Sequence, residues 1–223
     1  MDVPVLTIDG PSGAGKGTVS RQVSKILGWN YLDSGSIYRS LAIALLQNNT
    51  DLSKVDEIIR IAQTMDLAFI CDDELQVKLN GEEITTQLGT ETTGNTASII
   101  AAMPEIRQVL LQKQKDFKQQ PGLVADGRDM GTVVFPEAKH KVFLTASAEE
   151  RALRRYKQLM EKGIDVNICK ITREIEERDR RDKERLIAPL APADDALFID
   201  SSAMAINEVI AQVLSLVPQH ITA

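Results

Sequence analysis

Residues 10–18 read GPSGAGKGT, a glycine-rich segment that contains one lysine and ends on a threonine. It follows an apolar stretch, Val3–Ile8, and precedes a stretch whose apolar residues recur at helical spacing. Glycines let the backbone turn several N–H groups around phosphate oxygens, and the following helix adds the positive end of its dipole. The segment therefore predicts a phosphate-binding loop for ATP, made of Gly10, Pro11, Ser12, Gly13, Ala14, Gly15, Lys16, Gly17 and Thr18.

Two side chains of this loop are candidates for contact with the triphosphate and its metal. The ammonium group of Lys16 is expected at the β- and γ-phosphates, and the hydroxyl of Thr18 at Mg²⁺. The residue directly after the lysine is Gly17, whereas the general pattern has serine or threonine there. We therefore expect the metal contact of Thr18 to be mediated by water.

Three strand candidates end on an aspartate, namely Asp9, Asp33 and Asp126. Ligands bind at the carboxyl ends of strands in open parallel sheets. A carboxylate at this position beside a phosphate loop can orient Mg²⁺ or its waters, with Asp126 as the first candidate and Asp33 as the second. An aspartate at a strand end can equally cap the next helix, and the sequence leaves both interpretations open.

The stretch from Thr172 to Arg185 is dense in arginine and carboxylate side chains. Phosphoryl transfer requires charge neutralisation of phosphate oxygens, which arginine forks supply bidentately. The same residues also fit a solvated helix with i,i+4 ion pairs, such as Glu177 with Arg181. The pattern alone is compatible with either role.

Short apolar strands alternate with helix-period segments, which predicts a parallel α/β sheet flanked by helices. From Met65 to about Thr96 the pattern changes, and strict alternation around Asn80-Gly81 predicts a small inserted antiparallel sheet. A closing helix is expected from Glu208. The strand candidates of the main sheet are Val3–Ile8, Trp29–Leu32, Leu123–Ala125, Lys141–Thr145 and Leu197–Ile199.

The composition excludes several classes of function. A net charge of −6 over 223 residues argues against a general nucleic-acid binder. Cys71 and Cys169 are the two cysteines of the chain, which indicates neither a disulfide framework nor a zinc site. With no signal-peptide pattern and no apolar stretch of membrane-spanning length, we expect a cytoplasmic monomer that binds small molecules and neither nucleic acid nor membrane.

Four segments together resemble the bacterial cytidylate (CMP) kinases: GPSGAGKGT at 10–18, LDSGSIYR at 32–39, ADGRDMGTVVFP at 125–136 and ERDRRD at 177–182. The resemblance extends essentially over the whole chain. It implies a single domain over residues 1–223 with the fold of a P-loop nucleoside monophosphate kinase. It also implies a monophosphate-binding insertion at about residues 36–100 and an arginine-rich lid at about residues 150–185.

The resemblance further implies that the γ-phosphate of ATP passes to CMP, and to dCMP, with Mg²⁺ as cofactor. Lys16, Asp126, Arg128 and Arg178 are then the catalytic candidates, and Arg154 and Arg155 belong to the lid. The expected acceptor-binding residues are Ser34, Tyr38, Arg39, Ser98, Arg107, Arg128, Asp129, Arg178, Asp182 and Arg185.

The chemistry of cytosine gives an independent reason for one of these residues. Cytosine offers an amino donor at N4 and acceptors at N3 and O2, which a carboxylate beside an arginine would recognise. Asp129 with Arg107 or Arg185 fits that need, and Asp182 could accept a hydrogen bond from the ribose. Arg39 and Arg128 would bind the acceptor phosphate.

Two other functions remain open from the sequence. A related kinase for UMP, AMP or shikimate would use the same loop, and a nucleotide-dependent switch would bind without transferring phosphate. The guanine-reading motif Asn-Lys-x-Asp does not occur, since no asparagine is followed by lysine. A switch is therefore the weaker alternative.

Overall fold

The computed structural model of the protein describes residues 2–71, 75–161, 163 and 166–218. The chain divides into two compact units, of which the first comprises Met1–Leu32 and Lys118–Ala223 and the second Asp33–Phe117. The expected insertion falls in the second unit. The expected lid falls in the first, and its residues 162, 164 and 165 lie outside the described part.

The strands of the described residues form two sheets. Their bounds are β1 (Val5–Asp9), β2 (Asn30–Asp33), β3 (Leu67–Cys71), β4 (Leu75–Leu79), β5 (Glu82–Glu83), β6 (Leu123–Gly127), β7 (His140–Thr145) and β8 (Leu197–Asp200). The larger sheet has the order β2-β6-β1-β7-β8, and the smaller one has the order β3-β4-β5.

The helices of the described residues include the two that the sequence predicts, one after the phosphate loop and one that closes the chain. The helices are α1 (Lys16–Leu27), α2 (Ser34–Gln47), α3 (Val55–Thr64), α4 (Thr85–Leu88), α5 (Glu91–Ile100), α6 (Pro104–Lys115), α7 (Ala148–Glu161), α8 (Ile168–Glu184) and α9 (Ile206–Leu214), with a π-helical turn at Met130–Val134.

The larger sheet is parallel, as the sequence predicts. β1 pairs in parallel with β6 and with β7, and β7 pairs in parallel with β8. Asp9 at the end of β1 lies beside Gly127 at the end of β6. The segments that follow these two strands therefore leave the sheet at the same edge, where ligands bind in folds of this class.

A hydrophobic core joins this sheet to α1 and α9. Val19, Val23 and Leu27 are buried along one face of α1, and Val209 and Val213 along α9. They pack in one cluster with apolar residues of β1, β6 and β7. Their i, i+4 and i, i+8 spacing is the one that puts side chains on a single helical face. The core thus fixes the first residues of α1 against the sheet edge.

The second unit contains the predicted hairpin. β3 and β4 are antiparallel, and Asn80 and Gly81, with φ angles of 51° and 86°, form the turn to β5. Positive φ at both central residues gives the twist that a two-residue hairpin requires. The predicted extent of this sheet is wrong beyond Glu83, because the chain is helical over most of residues 85–100. Thr90 starts the second of these helices by accepting a hydrogen bond from the N–H of Thr93 at 3.2 Å.

The predicted strands are confirmed, with ends that differ by one or two residues. β6 continues through Asp126 to Gly127, and α9 begins two residues before the expected Glu208. Element ends depend on caps and on local hydrogen bonds rather than on hydrophobic pattern. In the described part of the chain, none of the helices has the length and apolar character needed to cross a membrane.

Candidate active site

The phosphate loop connects β1 to α1. Gly13 and Gly15 have φ angles of 78° and 90°, and Gly15 is the residue that caps α1. At Gly10 a Cβ atom would lie 1.9 Å from the carbonyl oxygen of Leu144 on β7. Any side chain at position 10 would therefore push the loop away from the sheet. The loop ends at the N-terminus of α1, where free N–H groups and the helix dipole favour a bound anion.

Lys16 is held over the loop that precedes it. Its Nζ donates a hydrogen bond to the carbonyl oxygen of Pro11 at 2.9 Å, and the residue is 6% exposed. The ammonium group is therefore fixed among the residues that would surround the phosphates. Thr18, two residues further on, is half-buried.

Asp126 lies near the end of β6 and is buried. Its Oδ2 accepts a hydrogen bond from the hydroxyl of Tyr31 at 2.7 Å. A Cβ atom at Gly17 would lie 3.7 Å from that oxygen and 3.7 Å from the tyrosine hydroxyl. The carboxylate thus borders the first turn of α1, at the residue between Lys16 and Thr18. Tyr31 was missed in the sequence, which has no local signal for a contact across 95 positions.

Arg128 and Asp182 form an ion pair. The Arg128 Nε lies 2.7 Å from the Asp182 Oδ2, and both side chains are largely buried. Burial on its own raises the pKa of the Asp182 carboxyl, but the nearby arginines together outweigh it and hold the pKa below its ordinary value, with the charge and hydrogen bond of Arg128 as the strongest of their effects. Arg185 and Arg178 lower this pKa further through their charges. Asp182 is therefore a carboxylate at neutral pH, among three arginines.

Asp129 pairs with Arg185. The Asp129 Oδ1 lies 3.6 Å from the Arg185 Nη2, and both side chains are at most 5% exposed. The sequence left either Arg107 or Arg185 as the arginine beside Asp129. Within the first unit Arg185 takes that place, and its Nε also donates to the carbonyl oxygen of Ala188.

Asp9 holds the backbone that follows Asp129. Its two carboxylate oxygens accept the N–H groups of Met130 and Gly131, each at 2.8 Å. Burial raises the pKa of Asp9 to about 6, although these two hydrogen bonds and the charge of Lys16 act in the opposite direction. The sequence marked Asp9 as a strand-end carboxylate, and the structure shows its role to be structural support for the segment 128–131.

In the second unit, the expected acceptor residues lie on α2, α5 and α6. The Ser34 hydroxyl donates to Gln114 Oε1 at 2.7 Å, and Arg39 donates to the carbonyl oxygen of Leu88. Arg107 lies 5.9 Å from the ring centroid of Tyr38. The hydroxyl of Ser98 is buried and finds no hydrogen-bond partner among the described residues. A buried hydroxyl of this kind is satisfied when a polar ligand binds beside it.

Asp33 caps α2. Its Oδ1 accepts the N–H of Ser36 at 3.0 Å, and its Oδ2 accepts the hydroxyl of the same residue at 2.6 Å. Of the two interpretations that the sequence left open, the cap is therefore the one observed. Each oxygen keeps a further lone pair, so Asp33 stays a second candidate for the metal after Asp126.

The two expected lid arginines lie on α7. The Arg154 Nη2 donates to the carbonyl oxygen of Ser201 at 2.7 Å, and its Nε donates to Glu150 at 3.0 Å. A Cβ atom at Gly15 would lie 3.8 Å from the Arg154 Nη1, so this guanidinium faces the phosphate loop. Arg155 is half-buried on the next position of the helix.

The oxygen donors near the loop fit Mg²⁺. This ion keeps several waters and binds through one or two carboxylates together with substrate phosphates, rather than in an all-protein cage. Asp126 and the Thr18 hydroxyl are hard oxygen donors of this kind. Among the described residues no group of three or more His, Cys, Asp or Glu side chains is placed to hold a metal ion.

Comparison with known proteins identifies the family. The family model described as cytidylate kinase matches residues 6–219. The chain belongs to the cytidylate kinase family. A cytidylate kinase of Methylococcus capsulatus is 56% identical over 218 residues, which cover 98% of each chain. Those of Aeromonas hydrophila and Serratia proteamaculans are 53% and 54% identical and cover 98% and 95% of this chain, and 95% and 93% of their own.

The family resemblance drawn from four short segments is thus confirmed. The segment 125–136 is held by contacts of Asp126, Arg128 and Asp129 and by the hydrogen bond from the N–H of Met130 to Asp9. Its residues leave the sheet at the same edge as the phosphate loop.

The raised pKa of Asp9 predicts a pH-dependent contribution to stability. A buried carboxyl with a folded-state pKa of about 6 and an unfolded value of 3.8 is stabilising when protonated, and this contribution is lost as pH rises through 6. When the pH is lowered from 7.5 to 5, the free energy of unfolding of the wild-type protein should rise by about 1 kcal/mol relative to that of Asp9→Asn. Urea unfolding of both proteins across this range measures the difference, and a constant difference would contradict the raised pKa.

Proposed function

We propose that the protein transfers the γ-phosphate of ATP to CMP, and to dCMP, giving ADP and CDP or dCDP. The observation that carries the proposal is the match to the cytidylate kinase family over residues 6–219. The geometry around the phosphate loop supports it. The cytoplasmic location and the monomeric state expected from the sequence stay predictions.

On the donor side, the loop from Gly10 to Thr18 binds the phosphates of ATP. Backbone N–H groups of the loop and of the first turn of α1 donate to phosphate oxygens, and Lys16 adds a positive charge. The hydrogen bond from Lys16 to Pro11 orients the ammonium group before the nucleotide arrives. Arg154 faces the loop at Gly15 and contributes a second positive charge from the lid.

Asp126 and Thr18 would hold Mg²⁺, through its waters, with Asp33 as the alternative carboxylate. The ion, when bound, neutralises charge on the β- and γ-phosphate oxygens. The hydrogen bond from Tyr31 fixes the orientation of the Asp126 carboxylate beside the first turn of α1, where it would contact the waters of the ion.

The acceptor base is recognised by Asp129. Its carboxylate accepts a hydrogen bond from the N4 amino group of cytosine, and Arg185, which lies beside it, donates to the ring acceptors. Uracil presents an oxygen where cytosine has the amino group, so it would leave Asp129 facing another acceptor. In a buried site this mismatch is costly, because neither oxygen can find a donor.

Further residues bind the rest of the acceptor. Asp182 accepts a hydrogen bond from a ribose hydroxyl, and Arg128, Arg178 and Arg39 bind the phosphate. The orphaned hydroxyl of Ser98 supports a ligand contact in the second unit. Family resemblance is the reason to assign three more residues of that unit to the acceptor site: Ser34, Tyr38 and Arg107.

The reaction is an in-line displacement without a covalent enzyme intermediate. An oxygen of the CMP phosphate forms a bond to the γ-phosphorus, and the bond from that phosphorus to the bridging oxygen of ADP breaks. The attacking oxygen is already anionic, so no strong general base is needed. Lys16 and the arginines stabilise the charge on the transferred group, and Arg128 and Arg178 act on the acceptor side. Closure of the lid, with Arg154 and Arg155, would exclude water and so limit ATP hydrolysis.

The proposed substrate is tested by initial rates with MgATP and each of CMP, dCMP, UMP and AMP. CMP and dCMP should have the highest kcat/KM, with UMP lower by at least about tenfold, since its base lacks the donor that Asp129 requires. A preference for AMP or UMP would overturn the choice of acceptor. ATP turnover independent of every acceptor would instead favour a nucleotide switch.

The role of Asp129 predicts a change in base selectivity. Asp129→Asn replaces one acceptor oxygen by an amide donor, so kcat/KM for CMP should fall at least about tenfold, or about 1.4 kcal/mol, with a smaller loss for UMP. Asp195→Asn, which neutralises an exposed carboxylate paired with Lys141, is the matched control and should leave both values near wild type. An unchanged ratio of CMP to UMP efficiency would contradict the assignment.

The role of Tyr31 predicts a change in the dependence on Mg²⁺. Tyr31→Phe removes only the hydroxyl that fixes Asp126, so kcat should fall about five- to tenfold, with a higher Mg²⁺ concentration at half-maximal rate and an unchanged KM for CMP. Tyr156→Phe removes a hydroxyl from a tyrosine packed between α7 and α8 and serves as the control. If kcat is the same as wild type at every Mg²⁺ concentration, Asp126 is not the metal-orienting carboxylate.

A further inference from the structure

Arg151 on α7 is a buried arginine that has no place in the reaction described so far. It is 5% exposed, and its guanidinium makes three directed hydrogen bonds. Nε donates to the carbonyl oxygen of Ala146 at 2.9 Å, Nη1 to that of Ser12 at 2.9 Å, and Nη2 to the Asp179 Oδ2 at 2.6 Å. The three acceptors belong to the residue that follows β7, to the phosphate loop and to α8. One rigid planar group therefore connects three segments.

At the phosphate loop, the contact is with the backbone itself. Ser12 accepts through its main-chain carbonyl, and a Cβ atom at the next residue, Gly13, would lie 3.1 Å from the Arg151 Cβ. The loop thus packs directly on α7 at this residue. Any adjustment of the loop backbone around bound phosphates moves the acceptor of the Arg151 Nη1.

At α8, the contact is with a buried carboxylate. Asp179 is 9% exposed, and its Oδ1 has no hydrogen-bond partner in the described part of the chain. Its Oδ2 pairs with the Arg151 Nη2 at 2.6 Å. Asp179 follows Arg178 directly and precedes Asp182 by one helical turn. A shift of Asp179 along or around the helix axis would shift both of these acceptor-binding residues.

The remaining packing of α7 against α8 does not involve the main core. Ala152, Leu159, Ile171 and Ile175 form a cluster of their own, distinct from the core that joins the sheet to α1 and α9. The pair of helices α7 and α8 is therefore held together by its own apolar cluster, while Arg151 connects it to the phosphate loop by a hydrogen bond. Such contacts depend on geometry more steeply than apolar packing does.

We propose that Arg151 and Asp179 couple the phosphate loop to α8, so that bound ATP favours the position of α8 that binds CMP. The guanidinium is planar, so fixing its Nη1 on the Ser12 carbonyl also fixes the direction of Nη2 toward Asp179. By linkage, bound CMP must then tighten the binding of ATP by the same factor. Arg151 and Asp179 are positioning residues here, since neither contacts a reacting atom. The inference rests on the proposed function, because it takes Arg178 and Asp182 as acceptor-binding residues.

Calorimetric titration measures this coupling directly. The Kd of CMP is determined with and without saturating Mg²⁺ and the non-hydrolysable ATP analogue AMP-PNP, and the ratio of the two values is the coupling factor. We expect a factor of at least about five for the wild-type protein. Asp179→Asn keeps the size of the side chain but removes its charge, and should lower the factor below about two while each ligand alone binds within about threefold of wild type.

Two further variants make the result specific. Arg151→Lys keeps the positive charge but lacks the fork that reaches Ser12 and Asp179 together, so it should lose the coupling in the same way. Glu177→Gln neutralises a carboxylate on the exposed side of α8, where it pairs with Arg180 at 2.9 Å, and should keep the wild-type factor. Hydrogen exchange of the wild-type protein adds a test without a variant: AMP-PNP alone should slow exchange in residues 168–184.

Asp182→Asn separates failure of the coupling from failure of the site assignment. Loss of coupling in Asp179→Asn together with weaker CMP binding in Asp182→Asn supports both. Loss of coupling with normal CMP binding in Asp182→Asn supports the coupling and contradicts the contact of Asp182 with CMP. A wild-type factor of one, an unchanged factor in Asp179→Asn, or exchange in α8 that does not respond to AMP-PNP would each overturn the proposal.

Discussion

The buried carboxylate of Asp9 is the interaction on which the functional edge of the larger sheet depends. β1 leads through Asp9 into the phosphate loop, and the same side chain holds the N–H groups of Met130 and Gly131 after β6. Because β1 and β6 are parallel neighbours, both segments leave the sheet together, and this carboxylate sets the distance between them. Burial of the Asp9 carboxylate costs desolvation energy, which raises its pKa to about 6. Two backbone hydrogen bonds offset part of that cost.

Arginine side chains of the first unit are held in place by paired carboxylates, and the chain as a whole is not basic. The chain carries a net charge of −6, so attraction for phosphate has to be local. Arg128, Arg151 and Arg185 each pair with an aspartate on or near α8 or at the sheet edge. Guanidinium groups fixed in this way need little reorganisation when phosphates bind, which is the condition for effective electrostatic stabilisation of a transition state. The same pairs connect the loop side of the unit to α8.

Local signals in the sequence were sufficient for most of the helices and strands and for part of the site. Apolar runs and helical periodicity predicted the parallel sheet, and Asn80-Gly81 predicted the hairpin, because both depend on residues adjacent in sequence. The two helices over residues 85–100 were missed, since α4 is only four residues long and the first turn of α5 is set by a threonine cap rather than by an apolar stripe. The glycines and lysine of the phosphate loop were recognised for the same reason as the hairpin: their spacing is itself the geometric requirement.

The contacts that the sequence did not reveal are those between distant segments. Asp33 and Asp126 each follow an apolar strand, yet Asp33 is satisfied by Ser36, three residues on, while Asp126 is satisfied by Tyr31, 95 residues away. The first partner could have been read as a helix cap, and the second depends on which strands are neighbours. Asp179 was likewise hidden in a charged run that fits a solvated helix, because periodicity gives the face of a helix but not what packs on it. Its partner Arg151 lies on another helix. The two residues form a buried ion pair because α7 packs on α8, although the sequence of α8 alone is typical of an exposed helix.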